Sequence, residues 1–417
     1  MSQSDVATLN MQSISVKQLG DIVKMDIEAE DYDPILGIGK AGVGKTTGIR
    51  EVVMSMGIGY KELRLGHLPQ QDLIGMPDIS VDKNGRKYTE YIPQGVLPPS
   101  VWDQAYNNGA GGWRGLTKEE GGYGEVGVLV LDEVTSCSRD VRAAAYQLLD
   151  SQRAIHEYHL PDKWKCVAIG NGPSDGGVFN GLETAFITRC MSYRIDIDAD
   201  SWKTWAIQHN LNSAVISFIQ LFPEKMHTMK PDLEYEEAAA VPRSWEKLSK
   251  HLDIDEARGF GSDDFIVLAH ATGCVGEEVG QEFMALYHKN KNTINPRDII
   301  NGKADPKQGA MFRTTNSNTD ARQVGVLTIN KVIQELVSDI DKSRADKNID
   351  IVSESANFVK WLIHITEYGS PLDLSVVGLR GLVEASSDFV SILTNDTRFD
   401  ELCPEFLQFA QDNQILN

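Results

Sequence analysis

The sequence lacks the features that mark secreted and membrane-spanning proteins. It has five cysteines in 417 residues, and this odd number without Cys-x-x-Cys spacing indicates reduced thiols, not a disulfide framework or a zinc site. No apolar run approaches the length of a bilayer span. The opening MSQSDVATLN has neither the basic segment nor the apolar core of a signal peptide. We therefore expect a cytoplasmic protein without a membrane partner.

Positive charge is also scarce. Forty lysines and arginines against sixty aspartates and glutamates give a net charge of −20 at neutral pH. Such a chain repels polyanions unless its basic residues cluster locally, so nucleic acid is disfavoured as a partner. Apolar residues make up an ordinary 41%, and the length predicts two or three globular domains.

A glycine-rich stretch, GIGKAGVGKTTGIREVV at residues 37–53, follows a short apolar run that predicts a buried strand. It leads into apolar residues at helical spacing, which are Ile49, Val52, Val53 and Met56. Residues 39–46 satisfy the pattern GxxxxGK[ST] of phosphate-binding loops. Glycines let backbone N–H groups surround a phosphate, and the N-terminus of the next helix favours its charge. We predict that the loop binds ATP, with Lys45 on the β- and γ-phosphates and Thr46 on Mg²⁺. A plain glycine turn is the alternative.

A second strand is predicted to end in carboxylates. In GVLVLDEV the residues from Val128 to Leu131 are continuously apolar, as expected of a parallel strand buried on both faces. Asp132 and Glu133 follow, at the carboxyl end where open α/β sheets place their sites. We predict that Asp132 holds Mg²⁺ through water and that Glu133 polarises the attacking water. Otherwise the two acids simply begin a loop.

A third strand is predicted to end in an amide. After a hairpin from Ala154 to about Trp164, the apolar run at 166–169 predicts another buried strand, which ends on Gly170 and Asn171. Beside the acidic pair, the Asn171 amide would orient the attacking water; alternatively it serves only the turn.

An Asn-Gly turn between Asp78 and Pro99 predicts a further β-hairpin. Taken alone, its basic and aromatic side chains would form an ordinary solvated turn; they are Lys83, Arg86, Lys87 and Tyr88.

The order of these motifs resembles that of the AAA+ ATPases. The segments QDLIGMPDI, VLDEVTSCSRDVRAAAYQLLDSQRAIHEYHLPDKWKCVAIGN and VPRSWEKLS are similar to the MoxR branch of the dynein-related AAA+ subgroup. The resemblance covers roughly residues 33–300, and it is strongest in the nucleotide core.

The resemblance implies a second role for the hairpin between Asp78 and Pro99. The family places an insertion there that faces the central opening of a ring, where its basic and aromatic side chains would contact a client.

The resemblance also implies the remaining parts of an ATPase site. Asn171 matches the family's first sensor, and Arg243 resembles its second. Arg189, with Arg194 in reserve, matches the arginine finger that reaches the γ-phosphate on a neighbouring subunit. The alternatives are that Arg189 pairs within its own domain and that Arg243 is merely solvated. The implied nucleotide contacts are Gly39, Lys40, Ala41, Gly42, Val43, Gly44, Lys45, Thr46, Thr47 and Arg243.

The predicted fold class is α/β. We expect a P-loop AAA+ core, with a doubly wound, mainly parallel sheet and β-hairpin insertions, followed by a helical lid and a helical C-terminal extension. The predicted boundaries are 1–32 for an N-terminal segment, 33–198 for the core, 199–300 for the lid and 301–417 for the extension. The N-terminal segment would form a small edge element or remain loose.

Three functions fit this sequence. The first is a remodelling, chaperone-like ATPase of MoxR type, a homo-oligomeric, hexameric ring that acts on a protein client with a von Willebrand factor A domain partner. The second is a nucleic-acid motor of a restriction-like system, which would need a basic channel. The third is an ATP-gated assembly scaffold that hydrolyses little or no ATP, against which the intact Glu133 argues.

Overall fold

The computed structural model describes residues 11–92, 96–98, 125–156, 158–173, 181–182, 184–229, 238–259, 263–313, 320–344, 346 and 348–413. These residues form two compact units, and the chain passes from unit 1 to unit 2 after Asp198. All five cysteines carry free thiols, as predicted. Among the helices in the described ranges, none is both long and apolar enough to span a bilayer.

Unit 1 contains the strands. Its described elements are, in chain order, β1 (Gln12–Ile14), α1 (Val16–Glu28), β2 (Ile35–Gly39), α2 (Lys45–Met56), β3 (Gly59–Arg64), α3 (Gln70–Ile74), β4 (Met76–Val81), β5 (Lys87–Ile92), β6 (Gly127–Asp132), α4 (Arg139–Leu149), β7 (Ala154–Ile155), β8 (Tyr158–His159), β9 (Trp164–Gly170), α5 (Thr184–Ile187) and β10 (Met191–Ile195). Six strands form one sheet in the order β1-β10-β2-β9-β6-β3, and all its neighbouring strands are parallel. β9 therefore lies between β2, which enters the glycine loop, and β6, which ends in Asp132.

Both faces of this sheet are covered by helices. Alternate residues of β6 enter two separate apolar clusters because successive side chains of a strand point to opposite faces. Leu129 and Leu131 pack with α3 and α4, whereas Val128 and Val130 pack with α1 and α2. The continuous apolar pattern of β6 and β9 follows from this double coverage.

The N-terminal segment contributes an edge strand and a helix to the sheet. β1 pairs with β10, and α1 begins after Ser15, whose side chain accepts a hydrogen bond from the Gln18 N–H. α1 packs closely on α2: a Cβ on Gly20 would lie 2.7 Å from Val52 Cγ2. The described residues before position 33 therefore form an ordered edge element, which is one of the two predicted alternatives. Helix α1 was not predicted.

A buried ion pair joins α1 to β9. Lys165 is fully buried, and its Nζ lies 3.0 Å from Asp26 Oδ2. The same Nζ donates to the backbone oxygens of Asp31 and Asp33, at 3.2 and 2.6 Å. Because Asp33 lies just before β2, this lysine also fixes the entry into the strand that leads to the glycine loop.

Substitution of Asp26 tests the importance of this pair. Asp26→Ala is expected to lower the free energy of unfolding by about 3–5 kcal/mol, because it leaves a buried ammonium group without its carboxylate. Urea unfolding measures the loss. The matched control is Glu28→Ala, which removes an exposed pair with Lys24 on the same helix and should cost about 0.5 kcal/mol or less. Equal losses for the two variants would contradict the assigned role.

Both predicted hairpins are present. β4 and β5 pair antiparallel around a turn in which Gly85 has a φ of 78°, and β7 and β8 form a second, shorter hairpin. The rings of Tyr91 and His156 stack with centroids 4.2 Å apart, so the two hairpins are in contact.

Unit 2 is helical, and its described residues contain no strand. Its α-helices are α6 (Ala199–Gln208), α7 (Ser213–Leu221), α8 (Pro242–Ala257), α9 (Asp264–Val275), α10 (Glu277–Tyr287), α11 (Pro296–Ile300), α12 (Asp320–Ser343), α13 (Ile351–Ile365), α14 (Leu372–Ala385), α15 (Ser387–Asn395), α16 (Thr397–Leu402) and α17 (Phe406–Asp412). α12 packs against α7 and α14, so residues on both sides of position 300 share this unit. The boundary at 300 stays a prediction. The predicted fold class, an α/β P-loop core with a helical C-terminal region, is confirmed.

Candidate active site

The glycine loop joins β2 to α2 in a conformation that needs glycine. Gly42 and Gly44 have φ values of 73° and 93°, in the left-handed region that other residues rarely adopt. A Cβ on Gly39, the last residue of β2, would overlap the carbonyl oxygen of Ile195 in β10. The positive φ values of Gly42 and Gly44 shape the loop, and the missing Cβ of Gly39 lets β2 pack closely on β10.

The N-terminus of α2 faces the loop without a side-chain cap. Gly44 occupies the N-cap position, and no side chain makes a capping hydrogen bond there. The backbone N–H groups of a first helical turn carry partial positive charge and favour an anion. Val43 is buried in the core, so only its backbone could contact a ligand, while Thr47 is exposed.

Lys45 lies at the centre of the site and is buried, with 7% of its surface exposed. Its Nζ donates to Gly39 O and Lys40 O, both at 2.7 Å, and to Asn171 Oδ1 at 3.0 Å. These three acceptors are neutral oxygens. A phosphate group would be a stronger acceptor for the ammonium, because charge-assisted hydrogen bonds are about twice as strong as neutral ones.

Thr46 and Asp132 are in direct contact. Thr46 Oγ1 donates to Asp132 Oδ2 at 2.9 Å, and Asp132 Oδ1 accepts from the Glu133 N–H at 2.7 Å. Mg²⁺ in nucleotide sites takes one or two protein oxygens and completes its shell with water and phosphate oxygens. This hydroxyl–carboxylate pair fits that requirement. The part of the chain that the structure describes has no group of three or more His, Cys, Asp or Glu suited to a metal, so the other ligands would come from phosphate and water.

Glu133 adopts a strained backbone conformation, with a φ of 60°. Its carboxylate lies against Gly66, where a Cβ would overlap Glu133 Oε2, and His67 Nε2 is 3.8 Å from the same oxygen. The side chain remains 36% exposed. Non-glycine residues in this region cost about 1–3 kcal/mol and cluster at functional sites, so the conformation supports a functional role for Glu133.

Asn171 follows β9 and contacts residues that lie just beyond the ends of β2 and β6. Its side-chain oxygen accepts from Lys45, as described above, and its backbone N–H donates to Thr135 Oγ1 at 3.0 Å. Sequence reasoning missed Thr135. No local pattern identified it, because its partner is 36 residues away and the contact depends on β6 and β9 being neighbours.

The two candidates for the arginine finger, Arg189 and Arg194, each pair with an aspartate of unit 1. Arg189 follows α5, and its Nε is 3.5 Å from Asp150 Oδ1 at the end of α4. The pKa of Asp150 lies below its usual value, chiefly because the Ser151 N–H donates to the carboxylate and secondarily because of Arg189. Arg194 lies on β10, with its Nε 3.0 Å from Asp196 Oδ1. The side chains of Arg189 and Arg194 are 40% and 42% exposed.

Arg243 belongs to unit 2, where it is the second residue of α8 and is exposed. Trp245, Leu248 and Leu252 of the same helix are buried.

The site thus joins the loop to the ends of β6 and β9. It provides a buried cation, a hydroxyl–carboxylate pair, an amide and the partly exposed carboxylate of Glu133 beside His67. The glycine loop, Lys45 and Thr46 match the pattern of phosphate-binding P-loops.

Comparison with known proteins adds little. No protein-family model matches the sequence, and no curated protein matches it. Similar solved structures include an ATPase from Cytophaga hutchinsonii, at 14% identity and a TM-score of 0.27, covering 78% of this chain and 76% of that one. A RuvB variant from Thermotoga maritima has 12% identity and a TM-score of 0.29, over 70% of this chain and 76% of that one. NtrX from Brucella abortus has 12% identity and a TM-score of 0.28, over 88% and 68%. Such low scores carry no argument, and the functional assignment rests on the site itself.

Proposed function

We propose that this protein is an AAA+ ATPase that hydrolyses ATP at the glycine loop. The observation that carries the proposal is the convergence of three strand ends on the loop. Lys45 Nζ bonds Asn171 Oδ1 at 3.0 Å, and Thr46 Oγ1 bonds Asp132 Oδ2 at 2.9 Å. A glycine turn with only a structural role requires neither contact.

Each residue has a distinct role in this reaction. The loop N–H groups and Lys45 would hold the phosphates, and Thr46 and Asp132 would hold Mg²⁺. When bound, Mg²⁺ neutralises charge that develops on the β- and γ-phosphate oxygens. Glu133 accepts a proton from the water that attacks the γ-phosphorus, while Asn171 orients that water. The bond from the γ-phosphorus to the bridging oxygen breaks, and ADP and phosphate leave.

Two measurements on the wild-type protein test the proposal. Calorimetry with Mg²⁺ and ADP is expected to show saturable binding at one site per chain, and a phosphate-release assay is expected to show turnover of ATP. Binding without turnover would favour the ATP-gated scaffold. Absence of both would contradict the proposed function.

We infer that Arg189 acts across a subunit boundary in a homo-oligomeric ring. Its ion pair with Asp150 joins side chains that are 40% and 48% exposed, and ion pairs in contact with solvent are weak. A phosphate oxygen cluster carries more charge than Asp150 and suits the planar fork of the guanidinium, so it would compete with Asp150 for Arg189. Supplying it in trans would make hydrolysis depend on assembly.

Mixing two inactive variants tests this arrangement. Arg189→Ala and Lys45→Ala proteins are each expected to be inactive alone. Mixed in equal amounts they should recover roughly a quarter of wild-type turnover, because about one interface in four then joins an intact loop to an intact arginine. Phosphate release measures the recovery.

Two further variants complete that experiment. Arg322→Ala removes an exposed arginine paired with Asp373 in unit 2 and should leave turnover unchanged. Repeating the mixture with Arg194→Ala decides between the two candidate arginines. A mixture no more active than its separate components would exclude Arg189 from action in trans.

We further infer that the client is a protein, remodelled by a hexameric ring with a von Willebrand factor A domain partner. The net charge of −20 disfavours nucleic acid. The β4–β5 hairpin exposes large apolar side chains, which suit a protein surface; Met76, Ile79, Val81 and Tyr88 are 53%, 69%, 57% and 50% exposed. Co-purification with the Glu133→Gln protein in ATP would identify the client.

The alternative is a nucleic-acid motor. The basic residues of the β4–β5 turn, Lys83, Arg86 and Lys87, are exposed and are its specific support. It would require stimulation of ATPase turnover by DNA or RNA with a steep dependence on salt.

A further inference from the structure

The turn that carries Glu133 is hydrogen-bonded to the end of β9. The Val134 N–H donates to Ile169 O at 3.1 Å, and the Asn171 N–H donates to Thr135 Oγ1 at 3.0 Å. The second of these bonds uses a side chain in place of a strand carbonyl. It lies where β9 has ended and backbone pairing with β6 no longer continues.

Thr135 is built into this position. Only 1% of its surface is exposed. Gly170 makes room for it, because a Cβ on that residue would lie 2.7 Å from Thr135 Oγ1 and 2.8 Å from Thr135 Cγ2. Both the hydroxyl and the methyl group are therefore held against the last residue of β9, and Thr135 has little freedom to change rotamer.

The same turn fixes Glu133. The N–H groups of Ser136 and Cys137 donate to Glu133 O at 3.0 and 3.2 Å, so Glu133 and Thr135 belong to one closed turn. A displacement of Asn171 relative to that turn would change the distance between the carboxylate and the amide. The Thr135 hydroxyl is the side-chain link that resists it.

We propose that Thr135 is a positioning residue for ATP hydrolysis: its buried hydroxyl holds Asn171 in alignment with Glu133 and the attacking water. This inference rests on the proposed function. Thr135 acts through Asn171, whose backbone N–H donates to its hydroxyl. Loss of alignment at a reacting centre lowers turnover far more than ground-state binding, because nucleotide affinity depends chiefly on the loop and Lys45.

Three substitutions separate the hydroxyl from the rest of the side chain. Thr135→Val keeps the shape and removes the acceptor, so kcat is expected to fall roughly tenfold or more, with KM for ATP and Kd for ADP changed by about twofold or less. Thr135→Ser keeps the acceptor and loses the methyl group, and its kcat should stay within about threefold of wild type. Thr135→Ala loses both and should resemble the valine variant, which provides a second test if valine impairs folding.

A double-mutant comparison tests action through Asn171. In an Asn171→Ala background, adding Thr135→Val is expected to lower kcat by about twofold or less, because the amide that it positions is already gone. A full tenfold further loss would show that Thr135 acts independently of Asn171.

The outcomes are distinguishable. Wild-type turnover in both Thr135→Val and Thr135→Ala would overturn the inference and leave the proposed function intact. Equal losses of ADP binding and turnover in all three variants would show that Thr135 is only structural, which also overturns it. Absence of ATP turnover in the wild-type protein, measured in the same series, would contradict the proposed function and this inference with it.

Discussion

Replacement of Lys45 by alanine is expected to abolish nucleotide binding at ordinary concentrations. The ammonium is buried, and it lies where the loop carbonyls, the N-terminus of α2 and Asn171 meet. Charge-assisted hydrogen bonds to phosphate contribute about 1.5–3 kcal/mol each. Losing two of them corresponds to a decrease in affinity of roughly a hundred- to ten-thousandfold. Calorimetry with ADP and Mg²⁺ measures this decrease directly.

The control for this variant removes an equal charge elsewhere in unit 1. Lys24→Ala eliminates an exposed lysine of α1 that pairs with Glu28, and it should leave the affinity for ADP unchanged. Unfolding in urea shows whether both variants remain folded. Unaltered ADP binding by a folded Lys45→Ala protein would refute the phosphate-binding role of the loop.

The parts of the site that depend on local pattern could be predicted from the sequence. The glycine spacing before Lys45 and the apolar runs that end in Asp132 and Asn171 each reflect a requirement on consecutive residues. The structure brings these three side chains into one cluster because their strands are parallel and adjacent. Parallel strands present their carboxyl ends at the same edge of a sheet, so even this convergence follows from the strand assignments.

Contacts between distant residues could not be predicted in this way. The hydroxyl of Thr135 acquires its partner only when β6 and β9 are side by side, and neither residue carries a local signal of the other. The buried pair of Asp26 and Lys165 is a similar case, since each looks like an ordinary solvated charge in its own segment. Helix α1 is a different case, because Leu19, Val23 and Ile27 are buried at helical spacing and Ser15 begins a capping box, so a local signal for this helix was present in the sequence.

Replacement of Glu133 by glutamine is expected to stop hydrolysis without weakening ATP binding. Glutamine has the same shape, so the turn with its φ of 60° and the contact with Gly66 can persist. The amide cannot accept the proton that the carboxylate takes from the attacking water. Removing a general base lowers turnover by about 10²–10⁴-fold, and phosphate release in a single-turnover experiment measures that decrease.

The Glu133→Gln protein is also expected to remain in an ATP-bound assembly. Bound ATP would contact Arg189 of a neighbouring copy, and this variant does not hydrolyse it. Light scattering with and without ATP measures the assembly. Glu125→Gln is the matched control, since it alters an exposed carboxylate of unit 1 that pairs with Lys163 and should leave turnover unchanged. Rapid hydrolysis by Glu133→Gln would remove Glu133 as the water activator. An ATP-bound variant that stays monomeric would instead retain that role and exclude the neighbouring arginine from the site, so the same variant tests the carboxylate and the ring separately.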